Sequence, residues 1–163
     1  MMFNGNFTQE AKIVWVTAPA DYNASACTAE YLNMSKYDKV VFIIQTGAWA
    51  GGAAAVTLLQ ADTVAAGNAK ALAFTKMYTN DGAPTGDTLT ETTVTGNTFN
   101  IDTANSLYVI EVDAAQLDVD NSFDCVALAI AAASGDNADF YSVVALAMKG
   151  RNMAGLSSPS AIT

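Results

Sequence analysis

The chain has 163 residues, of which 52% are hydrophobic and only 14% charged; its formal net charge is −9 and it contains no histidine. That length suits one domain with a sizeable core. The acidic balance argues against neutralising nucleic-acid phosphates or docking on an anionic membrane. The lack of histidine removes the commonest general base and metal ligand, and with them Ser–His and Cys–His catalysis; enzymes built on carboxylates stay open.

Residues 1–10 (MMFNGNFTQE) are polar apart from Phe3 and Phe7. They read as an arm, either a frayed terminus or a segment whose two phenylalanines dock on a neighbour. No basic n-region precedes an apolar run, so no signal peptide is expected. No stretch approaches the ~20 apolar residues of a membrane helix, and the expectation is a soluble chain made in a cytoplasm. Residues 12–18 (KIVWVTA) predict a β-branched-rich strand that Pro19 ends. Residues 20–39 predict a loop and an extended segment, with a short helix over 28–33 as an alternative. Residues 40–46 (VVFIIQT) predict a strand apolar on both faces. Residues 47–52 (GAWAGG) predict a turn presenting Trp49, after which 53–60 (AAAVTLLQ) return antiparallel.

A loop over 61–70 leads to a strand over 71–79, with Leu72, Phe74, Lys76 and Tyr78 on one face. A turn cluster at 80–87 precedes 88–95 (TLTETTVT), polar on both faces and suited to an exposed edge. Gly96-Asn97 turns the chain into TFNI; 106–113 (SLYVIEVD) predict another strand and 114–117 a single helical turn. The most apolar region is 123–151, two runs (FDCVALAIAAAS and FYSVVALAMKGR) around GDNAD, which reads as a hairpin. Both runs are apolar on both faces, whereas a sheet with one wet face alternates apolar and polar. Each side is therefore expected to be covered, one by the core and the other by a second layer or a neighbouring subunit. The scarcity of charge has a matching pair of readings: a surface of small neutral residues, or a surface buried in an assembly.

Some eight short strands separated by turn signals predict an all-β antiparallel sandwich, jelly roll or barrel-like single domain. The expected division is an arm (1–10), a β domain (11–149) and a tail (150–163). No catalytic, cofactor-binding or metal-binding residue is assigned, and no cofactor is expected. In the stretch from Asp118 to Asp124, Asp118, Asp120 and Ser122 match positions 1, 3 and 5 of a calcium loop, but Phe123 stands where its glycine belongs and Ala129 where its bidentate glutamate belongs. Asp136 and Asp139 are more readily turn formers than a hydrolytic pair. Cys27 and Cys125 read as buried thiols, with a bridge between them as the alternative. The candidate interface residues are Phe3, Phe7, Trp49, Lys149, Arg151 (the only arginine) and Met153.

Three phrases carry a resemblance: YLNMSKYDKVVFIIQTG (31–47), AKALAFTKMYTND (69–81) and YVIEVDAAQLDVDNSFDCVALAI (108–130), with the closing strand into Lys149-Gly150-Arg151. They resemble small tailed-phage virion proteins of the head decoration or capsid-cementing type. The resemblance implies a non-enzymatic structural protein that multimerises and binds the major capsid protein on the capsid exterior. The alternative is a receptor- or carbohydrate-binding β module of a phage tail or surface appendage, using Trp49, the tyrosines and the Thr-rich 85–95 region.

Overall fold

The computed structural model describes residues 7, 11–23, 25–27, 30–83, 85–135 and 138–150, with backbone only for Val16 and Lys149. In chain order the strands are β1 (Ala11–Asp21), β2 (Leu32–Asn33), β3 (Tyr37–Trp49), β4 (Ala54–Ala61), β5 (Lys70–Ala71), β6 (Lys76–Asp81), β7 (Thr90–Thr93), β8 (Thr98–Ile101), β9 (Ser106–Asp113), β10 (Cys125–Ile130) and β11 (Asp139–Gly150). Single 3-10 turns lie at Ala114–Gln116 and Val119–Asn121. The strands form two antiparallel sheets packed as a sandwich, not a closed barrel. The larger has the order β1-β11-β3-β9-β6-β7; the smaller has β2-β10-β4-β5, with β8 also pairing on β4.

The core lies between the sheets. Val40, Phe42 and Ile44 of β3 and Ile110 of β9 meet Val56 and Leu58 of β4 and Leu128 and Ile130 of β10; all are essentially inaccessible. Phe99 bridges the layers, 6.0 Å from both the Phe74 ring, edge-on, and the Tyr108 ring.

The two apolar runs of 123–151 do not form the predicted hairpin. β10 pairs with β4 and β2 in the smaller sheet, and β11 pairs with β3 and β1 in the larger. Nor does β4 return along β3, because the chain changes sheets between them. These two crossovers lie side by side: Gly52 N–H donates to Ser134 O (2.6 Å), Ala50 N–H to Ala138 O (3.2 Å) and Ala131 N–H to Ala55 O (2.8 Å). An apolar run flanked by turn residues is compatible with a hairpin and with a sheet change alike. The choice falls to the crossovers because both runs fill central positions, where each is covered by neighbouring strands as well as by the core.

A third sheet change divides the single strand predicted over 71–79. β5 belongs to the smaller sheet and β6 to the larger, with Leu72 and Phe74 buried between them. Lys76 and Tyr78 therefore do not share their environment. The first strand runs past Pro19 to Asp21. Its edge position tolerates a missing N–H, and a register shift between Thr17 and Ala20 absorbs the proline. Residues 30–33 are not helical; Leu32–Asn33 is a short strand on β10. The Thr-rich segment is the outermost strand of the larger sheet, as its two polar faces predict.

Candidate functional site: the outer face of the larger sheet

Directly paired residues in an antiparallel sheet project to the same side. The register pairs Val41 with Leu146 and Glu111, Ile43 with Val144 and Val109, and Gln45 with Ser142 and Leu107. Ile13 of the edge strand pairs with Leu146. The residues between them, Tyr141, Val143, Ala145 and Ala147 on β11 and Val40, Phe42 and Ile44 on β3, are buried in the core. The named pairs therefore project outward, and the described elements build no third layer over them. A solvent-facing row should be polar. Here its middle is the buried Val41 and the half-buried Ile43, Val109, Val144 and Leu146, with Ile13 54% exposed beside them.

Charge on this face lies at one end and along the β6–β7 edge, where Tyr78 and Glu91 continue the Ile43–Val109 row and Lys76 pairs with Glu91 at 2.9 Å. Lys39 Nζ lies 2.6 Å from Glu111 and 3.6 Å from Asp113. The Glu111 hydrogen bond holds the Lys39 ammonium above its ordinary pKa against the opposing effect of desolvation. At the opposite end a hollow of about 230 Å³ is lined by Pro19, Gln45, Gly47, Ser142 and Phe140, a residue 41% exposed.

That end is held rigid by buried polar groups. Asp139 is inaccessible; its Oδ1 accepts from the backbone N–H of Ala50 (3.1 Å) and Gly51 (2.7 Å), and its Oδ2 has no hydrogen-bond partner. Its own N–H donates to Asp21 Oδ1 at 3.0 Å, tying β1 to the same point. A side chain on Gly51 would overlap the Asp139 carboxylate, so close approach requires glycine there. Beside it the buried Thr46 hydroxyl donates to Thr103 O (2.7 Å) and accepts from Ser106 N–H (2.8 Å). Sequence reasoning read Asp139 as a turn residue; the buried role follows from the sheet crossovers, which have no local signal.

The structure places the remaining candidates separately. Trp49 is half-buried, with its indole N–H donating to Gly52 O at 3.2 Å and its ring 6.4 Å from that of Tyr141, which stacks on Tyr22 at 4.2 Å. Its position closes the sandwich end rather than presenting an open platform. Phe7 is 48% exposed. Phe3, Arg151, Met153 and the Lys149 side chain lie outside the described residues, as do the rest of both arms and Asp136.

Asp118 pairs with Lys70 and accepts from Asn121 Nδ2 at 2.9 and 3.0 Å, and Lys70 holds its carboxyl below the usual range. Asp120 is exposed, and Asp124 accepts from Cys125 Sγ at 3.1 Å. Among the described residues no three His, Cys, Asp or Glu side chains converge as a metal site.

Cys27 and Cys125 are free and buried. Cys27 bridges to Ile130, at the far end of β10 from Cys125. Five residues of strand separate the sulfurs' anchor points by about 17 Å, beyond the reach of a disulfide. Burial first, then the hydrogen bond and charge of Asp124, push the Cys125 thiol up to about 12.

In comparison with known proteins, the chain matches no family model and no curated sequence. No described helix is long and apolar enough to cross a membrane.

Proposed function

We propose that this chain is a non-enzymatic structural protein of a tailed-phage virion, one that multimerises and binds the major capsid protein on the capsid surface after synthesis in the host cytoplasm. The observation that carries the assembly reading is the outer face of the larger sheet. Its middle is aliphatic on β1, β11, β3 and β9, and its charges lie at one end and along the β6–β7 edge. A continuous apolar patch of this kind marks an interaction surface. The phage assignment rests on the resemblance of residues 31–47, 69–81 and 108–130. A sugar- or receptor-binding role has less support, because the Trp49 ring and N–H are engaged by the chain itself.

The test is cosedimentation of the purified protein with capsids of its phage that lack it. The expected result is saturable binding in a fixed ratio to the major capsid protein. No binding to such capsids would overturn the reading.

A further inference from the structure

A hollow of about 440 Å³ opens at the end of the sandwich where β3 begins, lined by Met34, Ser35, Ala114, Ala115, Val119 and Asp124. Its walls come from parts of the chain that the fold brings together. Met34 and Ser35 lie in the turn from β2 into β3, Ala114 and Ala115 follow β9, and Asp124 precedes β10. Met34 N–H donates to Asp124 O at 2.7 Å. Val119, on the second 3-10 turn, is 59% exposed. Apart from Ser35 and Asp124 the lining is apolar, and Asp124 is its one charged residue. The hollow therefore suits an occupant with aliphatic or thioether side chains and a single cation.

The chain itself delivers such a segment to this place. β11 ends at Gly150, which pairs with Tyr37, three residues from Met34. The sequence continues from that point as residues 151–163 (RNMAGLSSPSAIT). They open with Arg151, the only arginine, carry Met153, Leu156 and Ile162, and contain no acidic residue. Three extended residues cover about 10 Å, so Met153 comes within reach of the Met34 turn. Residues 1–10 enter β1 at the same end, since Ala11 pairs with Met148, but β1 lies two strands from β3. They also carry Glu10 and no lysine or arginine.

We propose that residues 151–156 dock in this hollow on their own chain, with Met153 and Leu156 against Val119 and Met34 and the Arg151 guanidinium paired with the Asp124 carboxylate. The docked segment covers the exposed Val119 and sets a cation on a half-buried carboxylate, in a chain of net charge −9. The proposal holds whether or not the chain serves in a virion.

Disulfide trapping in the full-length chain tests this. Ala115 is an exposed lining residue and Ala154 adjoins Met153, so Ala115→Cys with Ala154→Cys leaves the proposed contacts in place. Cys27 and Cys125 are buried and stay out of the reaction while the protein is folded, which circular dichroism checks. The expected result under mild oxidation is a bridge within one chain. It closes at least about tenfold faster than in Ala115→Cys with Phe7→Cys, and adding Arg151→Glu slows it at least about fivefold. A bridge no faster than the one from Phe7 would overturn the proposal. So would bridges formed only between chains, which give the hollow to a neighbour's segment, or a rate indifferent to Arg151→Glu.

Discussion

Asp139 shows how much one buried carboxylate does at the sandwich end. It accepts two backbone N–H groups from the β3–β4 crossover while its own N–H binds Asp21. Asp139→Ala leaves the Gly51 N–H without its acceptor and the Ala50 N–H with Ala138 O alone, and is expected to cost about 2 kcal/mol, whereas Asp139→Asn keeps an acceptor and costs about 1 kcal/mol. Gly51→Ala drives a methyl group into the same carboxylate and should cost about 1–3 kcal/mol. Urea unfolding of the three variants checks the order; an Asp139→Ala as stable as wild type would refute the role.

The buried thiols and phenols make a separate prediction. Cys27, Cys125, Tyr31, Tyr37, Tyr108 and Tyr141 are all held above their ordinary values, chiefly by burial. Each is neutral in the folded chain and ionises sooner when unfolded. Their stabilisation is therefore complete below about pH 9 and is lost as pH rises towards about 12. The urea midpoint should be flat up to about pH 9 and fall above it. At neutral pH both thiols should resist a disulfide reagent until the protein unfolds.

At the scale of elements, strand positions were largely readable and strand partners were not. The β-branched runs of 40–46 and 106–113 announce β3 and β9, and the threonines of 88–95 announce the polar edge strand β7. What local pattern lacks is any mark of which sheet a strand joins. Gly51-Gly52 and the 131–138 segment look like hairpin turns but carry the chain between layers, and 72–75 does so inside what reads as one strand. The apolar double faces of β3 and β11 were legible as a candidate site. Asp139 was not, because its partners lie 88 and 89 residues away.

The topology predicts the order of amide exchange. β3 and β11, each hydrogen-bonded on two sides and central in the larger sheet, should exchange slowest. β7, at its edge and exposed, should exchange fastest. Peptide-level exchange with mass spectrometry checks this, and equal rates for β7 and β3 would contradict the strand order.

For the molecule as a whole, the two sheets differ in what backs their outer sides. The smaller sheet closes its own back: Cys125 and Ala127 pack under Tyr31 and Ala61, with Leu59 and Val64 against them. The larger sheet has no counterpart over Ile43, Val144 and Leu146 among the described elements, which is why composition so low in charge points to assembly. The central claim is that this face is an interface, and it has a direct measurement: the mass of the full-length purified chain in solution across a range of concentrations. The account predicts a discrete oligomer that dissociates on dilution. A monomer at every concentration would contradict it.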